Sequence, residues 1–148
     1  MGGTPSQAIL GYGTLLERGN GATPEVFTAI AEVLDINGPN RSRDFEDVSH
    51  MQSPDGYDEW LPKLKSGGEL AFDLHFLPFH ASQDALNDDY ESGRKGNYRI
   101  RWPFNPPVIG AFTAFVQEPP NPTTPINGKV TASCVLKLTG RFVIPAGA

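Results

Sequence analysis

The stretch GELAFDLHF, Gly68–Phe76, alternates with a strict period of two. Leu70, Phe72, Leu74 and Phe76 fall on one side, and Glu69, Ala71, Asp73 and His75 on the other. An extended strand sends successive side chains to opposite faces, whereas a helix would scatter these apolar residues around its circumference. The stretch therefore predicts a strand with one face in a core and one face outside it. NYRIRW repeats the pattern, with Tyr98, Ile100 and Trp102 opposite Arg99 and Arg101. KVTASCVLKLTGRFV sets Val130, Ala132, Cys134, Leu136 and Leu138 against Thr131, Ser133, Lys137 and Thr139, as one long strand or two broken near Gly140. VIGAFTAFVQ is apolar on both faces, as a doubly covered strand would be. EVFTAIAEVLDING fits a helical period through Val26, Ile30, Val33 and Leu34, but its β-branched residues and terminal Asn-Gly favour a strand. AILGYGTLLERG reads as a short strand and a bend.

One helix is signalled, in ASQDALNDDYESG, over about residues 82–92. Ser82 can cap it, Asp84 suits the positive end of the helix dipole, and Gly93 can stop it. Leu86 and Tyr90, four apart, would form its apolar stripe. Glycine (16) and proline (14) supply the turns that many short strands need. The expected fold is mainly β: a β-sandwich or barrel-like single domain with one short α-helix and a long projecting loop. Two segments do not fit the compact part. One is the polar connection of about residues 52–66. The other is EPPNPTTPING, residues 118–128, where four prolines forbid a central strand and suggest a stiff hairpin tip. Residues 1–7 read as an N-terminal arm and 144–148 as a C-terminal tail.

A formal net charge of −5 argues against ordinary nucleic-acid binding, which needs clustered Lys and Arg. No apolar run approaches the roughly 20 residues of a membrane helix. The opening MGGTPSQAIL has neither a basic nor a long apolar region, so no secretory signal is expected, and synthesis in the cytoplasm is the simple reading. Cys134 is the sole cysteine, which excludes an intramolecular disulfide and thiolate cages.

HMQSPDGYDEWLPKLKSGG, His50–Gly68, is the segment richest in chemistry. His50 with Asp55, Asp58 and Glu59 offers ligand types of a metal or acid–base site, but no HxH or HxxxH pair supports one. Asp55 belongs to the turn-forming sequence Ser53-Pro54-Asp55-Gly56, where Asp has a conformational job. Ser53 lacks a GxSxG context, GYG lacks the rest of a nucleotide fingerprint, and Cys134 lies on the apolar face of a strand. No catalytic residue, metal or cofactor is expected. Arg99 and Arg101 could meet phosphate, but cross-strand ion pairs are the simpler use. Trp60 and Leu61 are the anomaly: two large apolar side chains in a polar connection need something to cover them, and another chain would serve.

The chain resembles the major tail tube proteins of bacteriophages with long, non-contractile tails. The resemblance runs through TPSQAILGYGTLLERGNG, FTAIAEVLDINGPNRSRD, VSHMQSPDGYDEWLPKLKSGGELAFDLHF and VTASCVLKLTGRF, and is most specific around SPDGY and EW. It implies a structural subunit of the virion tail, made and assembled in the host cytoplasm. It also implies hexameric rings stacked into a tube that conducts DNA into the host without binding it specifically, with tape measure, tail tip and terminator proteins as partners. A loop mapping onto roughly Gln52–Ser66 would bridge subunits, which assigns Ser53, Pro54, Asp55, Gly56, Tyr57, Trp60 and Leu61 to contacts between copies. Six copies at −5 each give a ring charge of about −30, which would keep DNA from adhering if carried on the lumen. Glu69, Asp73 and His75 are candidates for a strand face lining that lumen or meeting a neighbour. EPPNPTTPING lies outside the pattern. The competing readings are a monomeric β-sandwich module that binds to or decorates a phage particle, and a metal-dependent hydrolase using His50 and Asp55.

Overall fold

Seven strands form one antiparallel sheet, and two more form a separate hairpin, in a computed structural model that describes residues 3–144. The strands are β1 (Leu15–Gly19), β2 (Phe27–Ala29), β3 (Val33–Asn37), β4 (Ser42–Asp47), β5 (Trp60–Ser66), β6 (Glu69–His75), β7 (Gly96–Trp102), β8 (Val108–Thr123) and β9 (Thr131–Leu138). The large sheet has the order β2-β1-β7-β8-β9-β6-β3, and the hairpin pairs β4 with β5. One α-helix, α1 (Ala81–Ser92), is present among the described residues. Residues 1–2 of the expected arm and 145–148 of the expected tail lie outside the described residues.

The sheet curls because its two edge strands are consecutive in sequence. A flat sheet of seven strands would hold its edges roughly 29 Å apart at about 4.8 Å per strand. Only Ile30, Ala31 and Glu32 separate β2 from β3, and such a link spans about 14 Å at most. β2 runs antiparallel to β1, and β3 antiparallel to β6, so β2 and β3 point the same way. They are two halves of one broken strand, the first paired to one edge and the second to the other. Ile30 N–H donates to Leu16 and His75 N–H to Glu32, so both edges are tied to this connection. The curled sheet is barrel-like, with β2 and β3 at its two edges joined by this short connection.

The core fills the inside of this barrel. Leu70, Phe72 and Leu74 of β6 are buried, as are Tyr98 and Ile100 of β7 and Ala132, Cys134, Leu136 and Leu138 of β9. These are the residues that the period of two places inward. β9 is a single strand, and the chain turns at Gly140 (φ +88°) before Val143 bridges Ala111. β8 departs from expectation in its coverage. Phe112, Ala114 and Val116 are buried but Phe115 is exposed, so only one face is fully covered. Pairing also continues into the proline-rich stretch, with Pro122 opposite Ala132. That is possible because β7 stops pairing at Ala114, leaving β8 beyond it with β9 as its neighbour on one side. Prolines are tolerated on such a free edge, and two register shifts absorb the misfit.

Helix α1 is capped by His80, whose ring accepts from Ser82 N–H, and not by Ser82 as the sequence suggested. Gly93 takes the left-handed cap conformation, φ +68°. Its buried residues are Gln83, Leu86 and Asp89, while Tyr90 is exposed. Ser82 instead accepts from Ala31 N–H, and Gln83 donates to Ala31 and His75 carbonyls while accepting from Leu77 N–H. The helix start thus pins the connection that closes the barrel.

Antiparallel directions sort the remaining features onto two ends. β1, β6 and β8 all run from one end to the other. The β4–β5 hairpin, the N-terminal segment, the β7–β8 connection and Val143 lie at the first, hairpin end. Helix α1 and the tip of the β8–β9 hairpin lie at the opposite, helix end.

Candidate assembly interface

The segment expected as a loop over 52–66 is in part a strand. β5 begins at Trp60 and pairs with β4 in the register Phe45↔Pro62, Glu46↔Leu61 and Asp47↔Trp60. Residues paired across a ladder share a face, and alternate residues change face. Phe45, Asp47, Trp60, Pro62 and Leu64 therefore share one side of the ribbon, apolar except for Asp47. Leu61, Lys63 and Glu46 share the other, where Lys63 Nζ lies 3.2 Å from Glu46 Oε2. Every residue of both strands is exposed, Trp60 at 54% and Leu64 at 93%. Trp60 and Leu61, treated together by sequence reasoning, thus point to opposite sides. Leu64, missed there, joins Trp60 by the same period of two.

The tip between these strands is organised by Glu59 and Ser53. Ser49 Oγ accepts from Glu59 N–H at 2.7 Å, and Ser53 Oγ donates to Glu59 Oε2 at 2.7 Å while accepting from His50 N–H. His50 Nε2 lies 3.3 Å from the same carboxylate. Pro54–Gly56 form one 3-10 turn, with Asp55 at φ +57° and Gly56 at φ +72°. Asp tolerates that left-handed region better than most residues, which is why this turn carries it. Tyr57 follows, 75% exposed. The structure brings His50 and Glu59 together but leaves Asp55 and Asp58 apart from them. Among the described residues, no group of three His, Cys, Asp or Glu side chains is placed to hold a metal ion.

The hairpin leaves and rejoins the barrel through glycines. Gly38 (φ +117°) and Gly68 (φ +71°) flank it, and Asn40 N–H donates to the Glu69 carbonyl across its root. A Cβ at Gly68 would collide with the Asn40 carbonyl, and one at Gly38 would lie 2.8 Å from the Glu69 carbonyl oxygen. The root is therefore closely fitted, while every residue of the two strands beyond it is exposed.

Glu69, Asp73 and His75 share the outward face of β6. Glu69 sits opposite Lys137, at 3.9 Å, Asp73 opposite Ser133, and His75 opposite Thr131. His75 Nδ1 lies 3.0 Å from Glu32 Oε1. Arg99, on the outward face of β7, donates to Glu17 across the β1–β7 ladder, and its guanidinium lies 4.2 Å from the centre of the Phe27 ring. Arg101 reaches the same carboxylate at 4.0 Å. Cys134 carries no nucleophile: burial first, then the charges of Asp73 and Glu118, push its thiol up to about 12.

A second unpaired apolar surface lies at the hairpin end of the barrel. Ile9, Leu10, Trp102, Phe104, Val108 and Ile144 line an open cavity of about 410 Å³. Leu10 is exposed, and Ile9, Phe104 and Ile144 are partly so.

The fold is shared by proteins of known structure. The chain is similar to a subunit in the tail of an empty gene transfer agent particle of C6 symmetry, at 16% identity. That match covers 94% of this chain and 100% of the other, with a TM-score of 0.71. It is similar to the SPP1 tail tube protein at 13% identity, covering 93% of this chain and 79% of that one, TM-score 0.69. It is also similar to a chain of the sheath/tube terminator of an extracellular contractile injection system, at 12% identity, covering 97% and 100%, TM-score 0.71. No curated protein sequence matches the chain. The lambda phage tail tube protein family, by contrast, matches residues 12–144. With nearly its whole length accounted for, the chain belongs to the lambda phage tail tube protein family, and is a structural subunit of a virion tail tube and not an enzyme.

Proposed function

We propose that the chain assembles into hexameric rings, that these rings stack into the tail tube, and that DNA passes through the lumen into the host without specific binding. The observation that carries this reading is the hairpin, an arm with Phe45, Trp60, Pro62 and Leu64 exposed on one face. An apolar face of that size on a projecting ribbon needs a partner, and in a tube the partner is another subunit. The C6 symmetry of the gene transfer agent tail supports six copies per ring. In this reading the chain is a single domain, 1–148, with arms at about 1–7 and 144–148. Ser53, Pro54, Asp55 and Gly56 shape the hairpin tip, and Tyr57, Trp60 and Leu61 contact neighbouring copies. The β6 face with Glu69, Asp73 and His75 meets the lumen or the adjacent subunit. Tape measure, tail tip and terminator proteins are the partners at the tube's interior and ends, and assembly takes place in the host cytoplasm. The test is electron microscopy of the purified chain over a range of concentrations. Rings or tubes with six-fold symmetry are expected. A chain that stays monomeric at every concentration overturns the reading and favours a decoration module.

A further inference from the structure

The proline-rich stretch EPPNPTTPING carries no residue that the tube reading uses, and it ends in Asn127-Gly128. Asparagine is chemically labile, most of all before glycine. The glycine backbone nitrogen, once it loses its proton, attacks the asparagine side-chain carbon Cγ. The Cγ–Nδ2 bond breaks, ammonia leaves with that proton, and a five-membered succinimide remains. Water then adds to one of the two ring carbonyls and opens the ring. The product is aspartate or, with the main chain rerouted through the side chain, isoaspartate. Glycine favours the first step because no Cβ shields its nitrogen and its backbone reaches the required conformation freely. The chain holds three such pairs, Asn20-Gly21, Asn37-Gly38 and Asn127-Gly128. The fold treats them differently.

At Asn20 both reacting groups are tied. Its Oδ1 accepts from Ala22 N–H at 2.9 Å and from Val26 N–H at 3.1 Å, and Gly21 N–H donates to Glu25 Oε2 at 2.9 Å. At Asn37 the main chain has no room to rearrange. Asn37 is paired with Ala71 in the sheet, and a Cβ added at Gly38 would lie 2.8 Å from the Glu69 carbonyl oxygen. Asn127 and Gly128 lie between β8, which ends at Thr123, and β9, which begins at Thr131, and both are exposed. The chain turns over Ile126 and Asn127. Among the hydrogen bonds of the described residues, none involves the Asn127 amide, and no well-aligned one holds the Gly128 N–H. We infer that Asn127 is a site of spontaneous conversion to aspartate and isoaspartate, with the Gly128 nitrogen as nucleophile and water as co-reactant. The fold holds Asn20 and Asn37 unreactive. Conversion places a carboxylate two residues before Lys129 and makes the formal net charge of −5 more negative by one. It leaves the β8–β9 ladder intact, since pairing ends at Thr123↔Thr131. The hairpin tip is thus a surface whose charge and backbone change with age. The chemistry needs one chain alone, so it proceeds whether or not the chain assembles.

The test holds the purified chain at pH 8 in heavy-oxygen water and follows each asparagine by peptide mass spectrometry with fragmentation. Conversion with one solvent oxygen incorporated should run about tenfold or more faster at Asn127 than at Asn20 or Asn37, because those two must first open locally. In urea concentrated enough to unfold the chain, the three pairs should react within about threefold of one another, since the fold no longer separates them. Asn127→Gln, which would have to close a larger ring, should remove the event. Gly128→Ala, whose Cβ would shield the nitrogen and lie 3.0 Å from Pro125 Cγ, should slow it about tenfold or more. Asn20 or Asn37 converting as fast as Asn127 in the folded chain overturns the inference. So does an Asn127 that stays unchanged in the folded chain while the unfolded chain reacts there. A ranking that persists unchanged in urea belongs to the sequence and overturns the protection assigned to the fold.

Discussion

Arg18 and Asp89, 71 residues apart in sequence, are joined by two hydrogen bonds of 2.7 Å, from Nε and Nη2 to the two carboxylate oxygens. Tyr98 donates a third at 2.8 Å, and Arg94 approaches at 3.3 Å. The carboxylate is 2% exposed in its residue, so this cluster ties helix α1 to β1 and β7 inside the fold. Burial alone would raise its pKa, but the bonds from Arg18 and Tyr98 and the charges of Arg18 and Arg94 outweigh it and hold the group below the usual carboxylate range. A depressed carboxyl contributes stability above its unfolded value, near 4, and that contribution is lost as pH falls through the lower folded value. Asp89→Ala should cost about 3 kcal/mol at neutral pH, because it strands partly buried cations. Asp89→Asn should flatten the acid side of the stability curve. Urea unfolding at pH 6 and in steps below pH 4 checks both. A variant as acid-sensitive as the unaltered chain would remove Asp89 from the acid response.

Gln83 closes the barrel through three backbone groups, those of Ala31, His75 and Leu77. Gln83→Leu keeps the bulk but leaves three backbone polar groups without their partner, an expected loss of about 2–4 kcal/mol. Gln83→Glu should be worse at pH 7, since a buried carboxylate would face two carbonyl oxygens. It should recover in part as acid protonates it and restores one donor. Thermal melts of both variants at pH 7 and pH 5 distinguish a hydrogen-bond hub from simple filling.

These two residues also mark where sequence reading stops. The alternation of Leu70, Phe72 and Leu74, and of Tyr98 and Ile100, was legible because a strand's inward face is set by its own period. Helix α1 was legible as a helix but not in its buried face. Leu86 and Tyr90 are the apolar pair, yet the side turned inward is Gln83, Leu86 and Asp89. Two of those three are polar, and the partners that make their burial affordable come from β1, β6, β7 and the β2–β3 connection. Nothing local announces them. The proline-rich end of β8 was legible as an extended hairpin segment that could not be a central strand, but not as a strand paired on one side: which edge is free depends on where β7 begins. At the hairpin, Trp60 was conspicuous as a stranded aromatic. Leu64 was not, because its membership of the same face follows from the β4–β5 register.

Gly68 sets the exit of the hairpin. Its φ of +71° lies in the left-handed region, its carbonyl accepts from Leu138 N–H, and a Cβ there would strike the Asn40 carbonyl. Gly68→Ala therefore carries both backbone strain and a clash with main chain that cannot swing aside. A loss of about 2 kcal/mol or more is expected. Gly56→Ala, also at positive φ but with nothing within 4 Å of the added Cβ, should cost less. Chemical denaturation of the two variants side by side checks the difference. Equal losses would mean that the root is not closely fitted.

The register of the hairpin turns its aromatic and leucine residues into a directional prediction. Trp60 and Leu64 share the side that also holds Phe45 and Pro62, while Leu61 lies on the side of Lys63 and Glu46. All three are exposed, so replacing them removes little folded-state packing, and stability should change by no more than about 0.5 kcal/mol. Assembly should respond unequally. Trp60→Ala with Leu64→Ala deletes most of the apolar face and should abolish tube growth, because buried aromatic anchors dominate protein interfaces. Leu61→Ala, on the charged face, should slow growth without abolishing it. Light scattering at matched concentrations, followed by electron microscopy of the end products, gives both answers. If Leu61→Ala blocks growth and the Trp60/Leu64 pair does not, then the charged side of the ribbon meets the neighbouring subunit, and the apolar side faces elsewhere in the tube.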